Sequence, residues 1–175
     1  MNDAASAGWP AEIFRVLKDW RIRQVAYVPD AGHSDLIEMC AGDADMRMVP
    51  LTTEEEGVAL LAGAWLGGDK GVLLLQSSGV GNCINMLSLS QNCRFPLLML
   101  ITMRGQHGEF NPWQVPMGQA TPTVLSAMGT LLFEAGNASE IGPRTEAAAR
   151  MAFEGPAQTA VLISQAVIGA KTFGR

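Results

Sequence analysis

Residues 72–75 and 96–101 form two continuously apolar runs, Val-Leu-Leu-Leu and Pro-Leu-Leu-Met-Leu-Ile, each far shorter than a buried helix needs. A strand with one wet face alternates apolar and polar residues, so a short unbroken run describes a strand covered on both faces. Parallel sheets are covered in this way, because their crossover connections lay helices against both sides.

The rest of the chain fits that constraint. Pro10 precedes a stretch over 11–20 in which Ile13, Phe14, Val16, Leu17 and Trp20 recur at helical spacing, which predicts an opening helix. A β-prone run over 25–28 is closed by Pro29, and Asp30-Ala31-Gly32-His33-Ser34 supplies turn and cap chemistry before the next helix. Further strands are expected over 47–51 and 159–163, and helices over 54–66, 80–89 and 140–153. Residues 124–133 are apolar without a clear period. Alternation of short strands with longer helices gives an α/β fold: one open, largely parallel sheet with helices on both faces, in a single domain over residues 1–175. Right-handed crossovers then gather the loops after the strand C-termini along one edge, where α/β proteins bind ligands. Those loops are 29–34, 76–82 and 103–117.

Composition narrows the function. The formal net charge is −5, from 17 acidic and 12 basic residues with no basic stripe, which argues against a nucleic-acid surface. A few local cations still suffice to define a pocket for a small anion. No apolar run reaches about 18 residues, and the first ten residues carry no basic-then-apolar pattern, so neither a membrane span nor secretion is signalled. Cys40, Cys83 and Cys93 are odd in number, far apart and without a CxxC spacing, and read as buried thiols of a cytoplasmic protein.

The glutamate run Thr52-Thr53-Glu54-Glu55-Glu56-Gly57 has a purely structural explanation, since Thr52 with Glu55 and Thr53 with Glu56 each match a capping box. The face below Glu55 carries the small residues Ala59 and Ala62, so this carboxylate would have room for another subunit or a flat ligand. Gln76-Ser77-Ser78-Gly79-Val80-Gly81-Asn82 reads as a Gly-rich βα turn with exposed backbone N–H groups, but it is neither a P-loop nor GxGxxG. The third loop concentrates Arg104, Gln106, His107, Glu109, Asn111, Trp113 and Gln114, combining an anion-pairing guanidinium with a titratable imidazole. His33 lies in the first loop. No His, Cys, Asp and Glu spacing marks a metal site, and Gly42-Asp43 and Gly68-Asp69 read as turns.

Taken together, Glu55-Glu56-Gly57 with its Ala-rich helix, Ser77-Ser78-Gly79-Val80-Gly81-Asn82, and the stretch from Arg104-Gly105 to Pro116-Met117-Gly118 resemble the pyrimidine-binding domain of thiamine-diphosphate-dependent enzymes. Within that family they resemble most the branch containing the alpha subunit of sulfopyruvate decarboxylase and the phosphonopyruvate decarboxylases.

The resemblance implies a divided active site. The cofactor, thiamine diphosphate, would sit between this chain and a diphosphate-binding beta subunit that ligates magnesium, in a hetero-oligomer. Glu55 would be the acid that hydrogen-bonds the pyrimidine N1′ and promotes loss of the thiazolium C2 proton, although Glu54 and Glu56 stand where many relatives carry His and Gln. Ser78, Gly79, Val80, Gly81 and Asn82 would border the cofactor. Pro29, Asp30, Gly32, His33, Arg104 and Gln114 would meet a small anionic 2-oxo acid, with His33 and His107 as proton carriers. The expected reaction is decarboxylation of sulfopyruvate or phosphonopyruvate to the aldehyde and carbon dioxide. A carboligating relative and a non-catalytic regulatory subunit remain open alternatives.

Overall fold

The computed structural model describes residues 8–169. Six strands form one sheet: β1 (Ile22–Tyr27), β2 (Arg47–Pro50), β3 (Lys70–Gln76), β4 (Leu97–Thr102), β5 (Leu131–Ala135) and β6 (Gln158–Ile163), in the order β2-β1-β3-β4-β6-β5. Every pairing is parallel.

The unbroken apolar runs are explained by a two-sided core. Val72 and Leu74 of β3, Leu98 and Leu100 of β4, and Val161 and Ile163 of β6 pack with Ile13, Leu17, Leu36 and Ile141. Their alternate neighbours Leu73, Leu75, Leu97, Met99, Ile101 and Leu162 pack with Val58, Leu61, Val80, Leu87 and Leu125. Period-2 alternation therefore divides each strand between two apolar layers instead of between core and water. Burying one such Leu contributes roughly 1.5–3 kcal/mol.

The first layer is built on α1 (Trp9–Asp19), α2 (Ser34–Ala41) and α7 (Ala138–Glu154), and the second on α3 (Glu54–Leu66), α4 (Ser77–Cys83), α5 (Leu87–Cys93) and α6 (Val115–Ala127). A last turn, α8 (Gln165–Ile168), follows β6. Among the described residues, no helix is long and apolar enough to cross a membrane.

Three local expectations need correction. The stretch 76–82 is not an open turn, because α4 starts at Ser77 directly after β3, and the single helix expected over 80–89 is instead α4 and α5 separated at residues 84–86. The loop expected over 103–117 ends early, and residues 115–127 are helical despite Pro116 and Pro122. Pro116 sits in the first turn, where a missing N–H costs nothing. Pro122 is tolerated because contacts on either side hold the helix: Thr121 Oγ1 donates within the helix to Met117 O at 2.7 Å and across to Ser77 O at 3.3 Å, and Gly118 lies against the backbone of Arg104. Finally, Cys40 and Cys83 are buried, with burial pushing both thiols up to about 12, but Cys93 is exposed.

Gly118 fixes how closely α6 approaches the end of β4. A Cβ there would fall on the Arg104 carbonyl group, 2.8 Å from its carbon, and neither backbone has room to yield. Gly118→Ala is expected to lower stability by about 1–3 kcal/mol, read as a shift of the urea midpoint with little change in slope.

Candidate functional site at the C-terminal edge of the sheet

In the strand order, the chain steps from β1 to one side for β2 and crosses to the other side of β1 for β3 and β4, so the crevice between the ends of β1 and β3 is a topological switch point. Asp30 occupies it. Its Oδ1 accepts from Gln76 Nε2 at 2.9 Å, at the end of β3, and its Oδ2 accepts from Thr102 Oγ1 at 2.6 Å, at the end of β4. One carboxylate thus ties three strand ends together. Gly32 is required beside it, because a Cβ there would meet Thr102 Cγ2 at 2.8 Å and Asp30 Oδ2 at 2.9 Å. Asp30, Gly32 and Arg104, with Ala31, Ile168 and Gly169, line a cavity of about 130 Å³. Pro29 is exposed beside it.

Arg104 follows β4 and is 5% exposed. Its backbone N–H donates to Ser77 Oγ at 3.0 Å, and its guanidinium forms a two-pronged pair with Glu109, Nε to Oε2 at 2.7 Å and Nη2 to Oε1 at 2.6 Å. Glu109 also accepts from Gly105 N, Asn111 N and Gln165 Nε2. Chiefly through the Arg104 hydrogen bonds, the Glu109 carboxyl falls to about 2. The guanidinium is therefore largely committed to shaping its own loop, leaving Nη1 without a described partner, while Phe110 lies 5.7 Å from its carbon. Gln106 extends the same network to α8, accepting from Ser164 Oγ and Gln165 N.

The two histidines are separated. His33 is 1% exposed, and its Nε2 donates to Leu100 O at 3.1 Å, leaving Nδ1 without a partner. Burial lowers its pKa against the opposing pull of Asp30, so the ring is a neutral group under the sheet edge rather than one presented to a substrate. His107 is exposed on the loop. Gln114 is half-buried, with Oε1 buried and unpartnered, and like His107 it is not part of the Asp30 cavity wall.

The three glutamates at the start of α3 have different surroundings. Glu54 turns inward, 8% exposed, and its Oε2 accepts from Asn82 Nδ2 at 2.7 Å. A Cβ on Gly79 would lie within 2.5 Å of Glu54 Cγ, so this glycine lets α4 press onto the Glu54 side chain. Glu56 is exposed and accepts from Thr52 N at 2.9 Å. Glu55 is half-buried and accepts only from Thr53 Oγ1, at 2.6 Å, with Oε1 receiving no hydrogen bond from a described residue. Neither expected capping box forms: Thr53 is the N-cap but donates to Glu55, and Glu56 reaches one residue too far back. Beyond Glu55 the same helix face is open, with Ala59 and Gly63 exposed, space around the Gly63 position, and Leu66 87% exposed. Ala62 is half-buried. Ser78 is exposed and donates to Gln76 Oε1, Val80 is in the core, and Gly81 faces Met117.

The sequence did not single out Glu54, Gln76, Thr102 or Gln165. Their places in polar strand-end and helix-start positions were visible, but their partners lie 28 to 72 residues away. Among the described residues, no group of three or more His, Cys, Asp or Glu side chains is placed to hold a metal.

Residues 11–132 match the family model described as thiamine pyrophosphate enzyme, N-terminal TPP binding domain. The chain is 37% identical over 117 residues to the sulfopyruvate decarboxylase subunit alpha of Methanococcus maripaludis, covering 66% of this chain and 70% of that protein. It is also 37% identical over 117 residues to the phosphonopyruvate decarboxylase of Streptomyces viridochromogenes, where it spans only 30% of the relative. Among solved structures, the 2-oxoglutarate:ferredoxin oxidoreductase of Magnetococcus marinus superposes with a TM-score of 0.72 at 13% identity, over 90% of this chain and 29% of that one, a likeness of fold.

The Arg104 and Glu109 pair carries a pH signature. Glu109 is depressed from its ordinary value of 4.5 to about 2, so its contribution to stability is complete above about pH 4.5 and is lost as pH falls toward 2. The stability difference between the wild-type chain and Glu109→Gln, followed by urea unfolding, should therefore be constant from pH 7 to 5 and shrink below 4.5. A difference that is flat down to pH 2.5 would contradict the pairing.

Proposed function

Because the chain belongs to the thiamine pyrophosphate enzymes, through the family of their N-terminal TPP binding domain, we propose that it is the alpha subunit of a thiamine-diphosphate-dependent decarboxylase. In this reading it acts on a small anionic 2-oxo acid, sulfopyruvate or phosphonopyruvate, and releases the aldehyde and carbon dioxide. Relatives named for both substrates support the reaction class, and sulfonate and phosphonate ends offer the same three-oxygen geometry to a site.

The observation that carries the reading is the singular position of Glu55. Glu54 is occupied with Asn82 and Gly79, and Glu56 with the Thr52 amide, whereas Glu55 keeps one carboxylate oxygen unclaimed above an open face of small residues. That arrangement fits the pyrimidine side of the cofactor, since a flat ring needs both the acceptor or proton at Glu55 and the absence of bulk at Ala59 and Gly63. When bound, thiamine diphosphate supplies the carbon nucleophile and electron sink that decarboxylation needs.

The residues of this chain divide the remaining work. With the cofactor bound, Glu55 would hydrogen-bond a pyrimidine ring nitrogen and hold or move the proton there. Glu54 and Asn82 fix α4 beside it, and Ser78, Gly79 and Gly81 in α4 would border the cofactor when it is bound. Asp30, Gly32 and Arg104 form this chain's wall of the substrate pocket, Arg104 through Nη1, with Pro29 and Gln114 flanking and the exposed His107 as the proton carrier. The buried His33 acts by holding the Asp30 loop to β4. Asp30 is itself acidic, and Glu109 offsets Arg104, so much of the positive field for an anionic substrate comes from the partner. That partner is the diphosphate-binding beta subunit, which also ligates magnesium. The three free thiols suit a reducing cytoplasm.

In the reconstituted complex, Glu55→Gln should slow exchange of the cofactor C2 proton on the order of 10²- to 10⁴-fold while leaving thermal unfolding nearly unchanged. Glu56→Gln should exchange at close to the wild-type rate. Wild-type exchange in Glu55→Gln, measured by NMR, would remove it from the chemistry. Product analysis checks the reaction class: free sulfoacetaldehyde or phosphonoacetaldehyde is expected, and a longer hydroxyketone would mean carboligation.

A further inference from the structure

The opposite edge of the sheet holds a cleft of about 770 Å³ between the end of α1, the first residue of β3 and α7. Arg15, Trp20, Arg21, Lys70 and Glu146 are on its walls. Its acids are already satisfied. Asp19 pairs with Arg15 at 3.2 Å, while Glu146 accepts from Arg150 at 3.0 Å and from Trp20 Nε1 at 2.8 Å.

Two cations are left over. Among the described residues, neither Lys70 nor Arg21 has a carboxylate within ion-pair distance. Lys70 is half-buried, and its Nζ lies over two ring faces, Trp20 at 5.1 Å and Phe153 at 5.2 Å. Ring faces offset part of the cost of desolvating an ammonium, but they do not supply the acceptor oxygens it gave up in water. Arg21 is exposed and ends α1 in the left-handed conformation, with φ 56°, a position where glycine is common. The excess positive charge here runs against a chain whose formal net charge is −5.

We propose that this cleft binds a small organic anion carrying two or more negative charges, phosphoryl or carboxylate, held between Lys70 and Arg21. Arg21 supplies a planar fork of donors and Lys70 a point charge, a combination that suits oxygens on two separate groups. The cleft is too large for inorganic phosphate alone to fill. The length of β3 separates it from Gln76 by about 20 Å, so the ligand touches nothing at the Asp30 edge. The proposal stands independently of the reaction assigned to that edge.

Isothermal titration of the 175-residue chain at low ionic strength, with citrate in one arm and inorganic phosphate in the other, tests it. Saturable binding in either arm is expected, with Trp20 fluorescence changing in parallel. Arg21→Gln and Lys70→Gln should each weaken it about 10-fold or more, added salt should weaken it further, and Arg47→Gln, a cation on β2, should leave it intact. Citrate alone binding identifies a polycarboxylate, and phosphate binding as well identifies a phosphoryl ligand. The exposed Arg21 keeps the test valid should Lys70→Gln fail to fold. No saturable binding in either arm, or binding undiminished in Arg21→Gln, would overturn the proposal.

Discussion

A sheet whose central strands are apolar on both faces has nowhere to place chemistry except at its edges. Leu73 to Leu75 and Leu97 to Ile101 are fully buried, and their backbone groups are spent on the parallel ladders. Polar side chains therefore begin where the strands stop, at Gln76 and Thr102. Asp30 accepts a hydrogen bond from each and so fixes the spacing of β1, β3 and β4 at that edge. The Gly32 turn, the start of α4 and the Arg104 loop are all built on this clasp.

Two close helix contacts carry the order outward from the clasp. Gly79 allows α4 to lie on Glu54, which aligns the start of α3, and Gly118 allows α6 to lie on the Arg104 backbone, which aligns the loop after β4. Buried polar contacts then complete the edge: Glu54 with Asn82, Ser77 with the Arg104 amide, and Glu109 with the Arg104 guanidinium. Glu55 lies beside this framework without being consumed by it. Helix α3 is apolar nearly all the way round, yet Ala59, Gly63 and Leu66 on the face beyond Glu55 are uncovered, and the proposed shared site rests on that face.

What was legible in the sequence was what depends on local pattern. Unbroken short runs identified β3 and β4, helical spacing identified α1, the long run from the glutamates to the Gly67-Gly68 stop identified α3, and the alternation gave the parallel architecture. The α6 helix was illegible because Pro116, Gly118 and Pro122 argue for a loop, and only contacts with Ser77 and Arg104 overrule them. The site was legible in its members but not in their pairings. Arg104 read as a free cation because the bend that returns Glu109 to it leaves no periodic trace, and His33 read as accessible because its burial depends on β4, 67 residues on.

The most direct test of a site shared between two chains is turnover of sulfopyruvate and phosphonopyruvate as this chain is titrated with the proposed diphosphate-binding beta subunit, with thiamine diphosphate and magnesium present. The expected result is negligible carbon dioxide release from either chain alone and a rate that rises to saturation at a fixed subunit ratio. Full turnover by this chain alone, after rigorous purification, would contradict the shared site.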